Sequence, residues 1–416
     1  MYTSTIRACY LGNLVGALVT NLSPLLFVTL MQGFGLSFEQ VGRLTLINFF
    51  TQIVADLAFS KPVDRYGVRP FITFGHLMVF LGFVMFAFAP RLFPTNPYLG
   101  IMLATVIFSC GGGLLELLLS AIVQAIPSEA KAAAMSLLHA FYAWGFIGVV
   151  VLTSVMIALF GSVNWPIIVL IWSIIPLLNF FNFLRVPLAP QVPDEHRTST
   201  RTLLASPFFM LVVIGIALGG AAEVSMSQWT SAYAETTLGL SKTTGDLLGL
   251  CLFAALLGTG RMLYGKYGKN IDVWHVMFWG SFFAAGCYLV AALSPIPWIS
   301  LVACACCGLG VALLWPGSVV NAAHRFPFAG ASMFAILAAG GDTGAAVGPW
   351  LLGLIADFVP ASATLSPLRV GMLAGTAYPL AMLVCLGVIR ILGKRNQEAK
   401  GVGVGTKGSE PPLSSS

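Results

Sequence analysis

Apolar stretches near 8–32, 41–60, 71–90, 98–123, 133–160, 164–184, 207–232, 244–264, 273–293, 297–321, 330–356 and 370–392 follow one another with only short polar turns between most of them. Each approaches the ~20 residues needed to cross a hydrocarbon core of ~30 Å. Lipid offers no partner to backbone N–H and C=O groups, so a segment that crosses it must bond internally, as a helix. The pattern predicts an all-α membrane protein with twelve transmembrane helices. Composition agrees, since hydrophobic residues make up 58% of the chain and charged residues 9%, against roughly 45–50% and ~25% in soluble domains. Fifteen acids and 21 bases cannot coat a soluble protein of 416 residues. The first stretch shows no small-residue cleavage site and reads as a retained helix rather than a signal peptide.

Twelve spans put both termini on one side, and the bases choose that side. Seventeen fall there (Arg7, Lys61, Arg65, Arg69, Lys131, Arg185, Arg197, Arg201, Arg261, Lys266, Lys269, Arg325, Arg390, Lys394, Arg395, Lys400 and Lys407) and four opposite, Arg43, Arg91, Lys242 and Arg369. The positive-inside rule then predicts cytoplasmic termini in a plasma (inner) membrane protein. Topology and a basic tail account for the net charge of +6, so no nucleic-acid partner is expected. The eight cysteines sit in apolar stretches, Cys304, Cys306 and Cys307 within one span, without metal or disulfide spacing. No cofactor or metal is expected.

A basic turn recurs. Asp64-Arg65-Tyr66-Gly67, closed by Arg69, returns 201 positions later as Lys266-Tyr267-Gly268-Lys269. A repeat at almost half the chain length indicates a duplicated protein. The longest polar break before the tail, 186–206, separates six spans from six. The expected organisation is an N-terminal six-helix bundle over 1–185, a cytoplasmic linker over 186–206, a C-terminal six-helix bundle over 207–392 and a disordered tail over 393–416.

The turn Ser60-Lys61-Pro62-Val63-Asp64-Arg65-Tyr66-Gly67-Val68-Arg69 resembles the G-x-x-x-D-R-x-G-R-R signature of the major facilitator superfamily. Ser60 replaces the first glycine, Val68 replaces one closing base, and the second copy has Gly265 in place of the acid. The resemblance implies two pseudo-symmetric bundles that rock around a midplane site. Within the superfamily the chain is similar to the fucose–proton symporter and sugar permease branch, through Gly111-Gly112-Gly113-Leu114-Leu115-Glu116, Ser136 to Gly145 with His139, Tyr142 and Trp144, and Glu223 with Gln228, Trp229 and Tyr233. That branch implies a proton-coupling acid in span 4. Its second acid, in span 1, is replaced here by Asn13 and Asn21.

An ionised acid near a helix centre costs ~2.5–3.5 kcal/mol on insertion scales, so each one needs a reason. The acids well inside apolar stretches are Asp56, Glu116, Glu223 and Asp342. Glu116 follows three glycines that admit a close neighbour and is the proton-coupling candidate, with His139 as a second; a tie between helices is the plainer alternative for either. Candidate solute ligands are Glu223, Ser227, Gln228 and Trp229 of span 7, Tyr142 of span 5 and Asn321 of span 10. Carboxylates, amides and hydroxyls beside an aromatic plane suit a sugar, while an interfacial Trp/Tyr belt would use the same aromatics structurally. Gating candidates are Asp64, Arg65, Gly67, Arg69, Lys266, Asp56 and Asp342. Asp64 can accept from a neighbouring helix N-terminus, Arg65 and Arg69 can pair with acids on a partner helix, and Asp56 joins the same charge cluster. Asp342 either faces the cavity or pairs with Arg325 or Arg261.

The expected function is secondary transport of a small polar solute, a sugar, by alternating access with proton coupling, carried out by a monomer in lipid. The alternatives are export of lipophilic or cationic compounds and a non-transporting membrane sensor. No G-x-x-x-x-G-K-[S/T] or H-E-x-x-H pattern occurs, so neither ATP hydrolysis nor enzymatic catalysis is expected.

Overall fold

The apolar stretches fold as helices, and the polar turns end them. The computed structural model describes residues 2–126, 131–189, 200–268, 271–326, 330–360 and 362–404; within its helices the side chains of 64, 131–137, 139, 140, 200, 202, 330–332 and 393–404 lie outside the description. Among the described residues the helices group into twelve, in order: α1 (Thr3–Leu25, continued by Phe27–Phe34), α2 (Phe38–Tyr66), α3 (Val68–Leu92), α4 (Pro97–Ala125), α5 (Lys131–Phe160) and α6 (Trp165–Arg185). The second set is α7 (Pro207–Thr236), α8 (Lys242–Tyr267), α9 (Val273–Leu293), α10 (Pro297–Arg325), α11 (Gly330–Asp357) and α12 (Pro367–Gly375, continued by Ala377–Val404). No strand occurs among the described residues. The architecture is an all-α membrane fold of two six-helix bundles.

Several helices are interrupted for identifiable reasons. α1 bends by 45° beside Pro24, which lacks an N–H and crowds the preceding turn. α10 breaks at Ala312–Leu313. α8 opens with a π-helical turn, Gly245–Cys251. α12 runs on to Val404, past the tail boundary expected at 392, because Lys394 to Lys400 is a run of mostly good helix formers. The expected linker contains a short helix, Thr200–Leu204.

Among the described residues, nine helices are long and apolar enough to span a bilayer, ten with the bent α1. α2 and α11 fall short among the described residues. α2 carries Thr45, Asn48, Gln52 and Asp56 at one-turn intervals, and α11 carries Gly340, Gly341, Asp342 and Thr343. Both are tolerable in a membrane only where they face protein or water, and they pack on each other antiparallel. A Cβ at Gly42 would lie 3.3 Å from the Pro349 carbonyl oxygen, and Phe49 clusters with Ala345 and Ala346 one face further along.

That contact sits at one end of the molecule, called here the Asp357 end. Each hydrogen bond joining the two bundles among the described residues lies toward this end: Asp357 to the start of α2, Trp350 to Glu39, Thr45 to Gln228, Gln228 to Thr20 and Ser154 to Asp246. Toward the opposite end, where the basic turn lies, none joins them among the described residues. The bundles are closed at the Asp357 end and parted at the other.

Candidate solute site

Small residues decide where the acids meet. On α4, a Cβ at Gly113 would lie 2.8 Å from the Gln52 carbonyl oxygen, and one at Gly112 would lie 2.6 Å from Val19 Cγ1. Glycine therefore lets α4 press against α2 and α1, as close helix packing in membranes requires. One turn further from the Asp357 end the same two helices present Glu116 and Asp56. The Glu116 side chain is exposed although apolar helices surround it, so it opens onto the space between the bundles. Asp56 is half-buried, and its Oδ1 has no hydrogen-bond partner among the described residues. Asp342, 4% exposed, reaches the same region from α11 and lies within electrostatic range of both. Asp56 therefore faces Glu116 and Asp342 rather than the basic turn eight residues on. Asp342 pairs with neither expected arginine: Arg325 lies over the Phe208 ring and Arg261 is taken by Glu223.

Glu223 and Arg261 form the other polar wall. The Arg261 Nη2 donates to both Glu223 carboxylate oxygens at 3.1 and 3.0 Å, and its Nε donates to the Ala312 carbonyl at 3.1 Å. Arg261 thus stands inside the parted region rather than in a loop. Between the walls, the Tyr142 hydroxyl lies beside Thr20 and Asn21 and within electrostatic range of Glu116 and Glu223. Asn13 donates to the Leu138 carbonyl at 2.5 Å and Asn21 to Ala17 at 2.9 Å, so the span-1 amides tie backbone rather than replace an acid. Asn321 of α10 is half-buried with its amide 3.4 Å from Met277 Sδ. His139 and Asp64 belong to α5 and α2, but their side chains lie outside the described residues.

The remaining span-7 candidates sit in the closure. Gln228 accepts from the Thr45 hydroxyl at 2.9 Å and donates to the Thr20 carbonyl at 3.1 Å, bridging the bundles. Trp229 is fully buried; it donates to the Pro349 carbonyl at 2.8 Å and packs against Phe27 and Phe38. Neither sugar-facing nor at a lipid interface, its indole is part of the plug. Ser227 is buried and donates to Val224.

At the opposite end the two copies of the basic turn reproduce each other locally. Arg65 lies 5.2 Å over the Tyr66 ring and Lys266 lies 5.1 Å over the Tyr267 ring. Gly67 ends α2 at φ 82°, a left-handed value that favours glycine. Arg69 donates to the carbonyls of Phe183 (2.7 Å), Leu184 (3.1 Å) and Val186 (2.8 Å), capping α6, and among the described side chains it pairs with no acid. Those carbonyls have no helical partner and carry the negative end of the macrodipole, which a guanidinium satisfies.

Sequence reasoning missed four features of the closure. The α2 stripe of Thr45, Asn48 and Gln52 links by side chains, Gln52 donating to Asn48 at 2.6 Å and Asn48 to the Val19 carbonyl at 2.6 Å; its 3–4 residue spacing was a usable signal. Glu39 and Asp357 look like loop acids in sequence, and Asp246 like the polar edge of the eighth stretch. Ser37 and Gln40 form a capping box, and the Asp357 carboxylate accepts from Phe38 N–H at 3.0 Å and Glu39 N–H at 2.8 Å, so every early N–H of α2 has a partner. Away from all this, two apolar crevices of about 570 and 600 Å³ lie along α8–α10, sharing Phe283; neither is lined by an acid.

Residues 9–349 match the family profile described as Major Facilitator Superfamily. No curated protein matches the sequence. Among solved structures, a bacterial homolog to the human lysosomal transporter Spinster, inward-facing and occupied, is similar with TM-score 0.74 and 16% identity over 94% of this chain and 97% of that one. The nucleoside transporter NupG is similar with TM-score 0.75 and 12% identity, covering 93% and 98%. The E. coli fucose:proton symporter FucP is similar with TM-score 0.63 and 15% identity, covering 93% and 99%.

Proposed function

The chain belongs to the major facilitator superfamily, and we propose that it moves a small polar solute, a sugar, through a midplane site by proton-coupled alternating access. One observation carries the reading: the bundles are sealed at the Asp357 end while Glu116, Tyr142 and the Glu223–Arg261 pair face the space opening at the other. A hydroxyl-rich solute needs converging acceptors and donors; Glu116, Asp56 and Glu223 supply the first, Arg261 and the Tyr142 hydroxyl the second. The sugar and nucleoside transporters of the same fold support this class. Seventeen bases against four assign the open end to the cytoplasm, so this is an inward-open state of a plasma-membrane carrier that works as a monomer. Residues 1–185 and 207–392 are the two rocking units, and 186–206 links them.

Glu116 carries the coupling proton, with Asp56 and Asp342 as its acidic neighbours. Uptake into proteoliposomes, comparing sugars with and without an imposed pH gradient, tests both parts. Sugar movement that ignores the gradient would remove the coupling; no movement of any sugar would remove the solute class.

A second reading has one observation in its favour. Asp56, Glu116 and Asp342 converge while Arg261 is neutralised by Glu223, a balance that suits a cationic solute. Competition of an organic cation, but no sugar, for uptake would select it.

A further inference from the structure

Asp246 is a fully buried acid that the solute site does not use. It lies at the Asp357 end, the second residue of the π-helical turn of α8. Its Oδ2 accepts from the Ser154 hydroxyl at 2.5 Å and lies 3.2 Å from Lys242 Nζ. Lys242 also donates to Ser231 Oγ at 3.1 Å, and half-buried Glu235 lies within electrostatic range of both charges. A Cβ at Gly245 would lie 2.6 Å from Ala234 Cβ, so glycine lets the turn press onto α7. π turns are rare and concentrate at functional positions. The partners divide unequally: Lys242, Asp246, Ser231 and Glu235 all belong to the second bundle, and Ser154 alone belongs to the first.

We propose that Ser154, Asp246 and Lys242 form a two-signed lock on the outer gate. Closure strips water from the ion pair, and a buried pair recovers that desolvation only in part through mutual attraction. The charges therefore push the gate open. Ser154 opposes them by giving Asp246 the hydrogen bond that water would otherwise supply. When α5 withdraws, the pair returns to water and the Ser154 bond is exchanged for hydration. The lock rests on the alternating-access reading but not on the solute or its coupling.

Opposite signs make the test specific. Spin labels at Val163→Cys and Ile296→Cys, exposed positions at the outer ends of the two bundles, report gate opening as the ratio of long to short distances in reconstituted protein. Ser154→Ala raises that ratio about tenfold, the effect of removing a partner from a buried charge. The double variant Lys242→Met/Asp246→Asn, which removes the charges but keeps an acceptor for Ser154, lowers it. Ser173→Ala, whose hydroxyl bonds within α6, leaves it unchanged and controls for folding. Any pattern other than opposite shifts overturns the lock. A single short distance in wild type under every condition overturns alternating access as well.

Discussion

Replacing Asp357 by Ala should open the outer gate without touching the solute site. The carboxylate ends α11 and accepts two N–H groups of α2, at 3.0 and 2.8 Å, across the bundle boundary. A capping side chain is worth ~0.5–2 kcal/mol and a carboxylate at a helix N-terminus a further ~0.3–1 kcal/mol. The site is exposed, and water would take over the N–H groups on opening, so the net preference for closure is about 1–2 kcal/mol. That corresponds to about a 5- to 30-fold change in the ratio of open to closed molecules. The readout is labelling of Ser227→Cys, a buried position beneath the gate, by a membrane-impermeant maleimide in a background without native cysteines. Labelling reports transient opening, so its rate should rise by the same factor. An unchanged rate in Asp357→Ala, with normal amounts of folded protein, would refute the reasoning that the cap holds the gate.

Three further outcomes follow from contacts already described. Arg69→Ala removes donors from three α6 carbonyls and should lower stability by about 1–3 kcal/mol, read as earlier thermal unfolding in detergent, with Arg69→Lys intermediate because an ammonium cannot span three acceptors. Gly113→Ala would set a methyl 2.8 Å from the Gln52 carbonyl oxygen and force α4 off α2, costing about 1–3 kcal/mol and reducing uptake by moving Glu116 away from Asp56. Burial pushes the Glu39 carboxyl up, but hydrogen bonds from Arg43 and Trp350 outweigh it and hold the group below the ordinary carboxylate range. A depressed value contributes stability that is complete above that range and lost as pH falls through the lowered value; the maleimide labelling rate at Ser227→Cys, divided by that at the exposed position Val163→Cys so that the fall in thiolate with pH cancels, should therefore stay flat from neutral pH to the ordinary carboxylate range and rise only below it.

Membrane spans and helical class were legible because each rests on a local, periodic property. Apolar length sets a crossing, and a repeated turn marks two halves. Glu116 stands out in the sequence for the same reason, an acid after three glycines in an apolar run. What stayed hidden depends on which helix meets which. Trp229 looks identical in sequence whether it faces a sugar, a lipid headgroup or, as here, the Pro349 carbonyl. Asp246 sits four residues after Lys242 and reads as the polar edge of an apolar stretch, because a π turn leaves no sequence signature. Arg261 reads in sequence as one more base of the cytoplasmic side, and nothing local to it shows that Glu223 stands opposite. The low apolarity of α2 and α11 was visible, however, and it marks the pair that meets across the bundles.

The geometry of that pair makes one more prediction with a fixed sign. α2 and α11 are antiparallel, so the start of α2 lies beside the end of α11 at the Asp357 end, and the end of α2 belongs with the start of α11 at the other. Asp357 stands at the C-terminal end of α11 and caps the first N–H groups of α2 where the bundles meet. Asp64 holds the corresponding sequence position near the end of α2, and the antiparallel pairing predicts that it caps α11 in the opposite state. Removing Asp64 should therefore favour the inward-open form that removing Asp357 disfavours. Asp64→Ala is expected to slow maleimide labelling at Ser227→Cys while Asp357→Ala speeds it, and the double variant should fall between them, because the two caps act on one equilibrium from opposite ends. If Asp64→Ala also sped labelling, the acid of the basic turn would be holding the same state as Asp357, and the exchange of caps between the two ends would have to be abandoned.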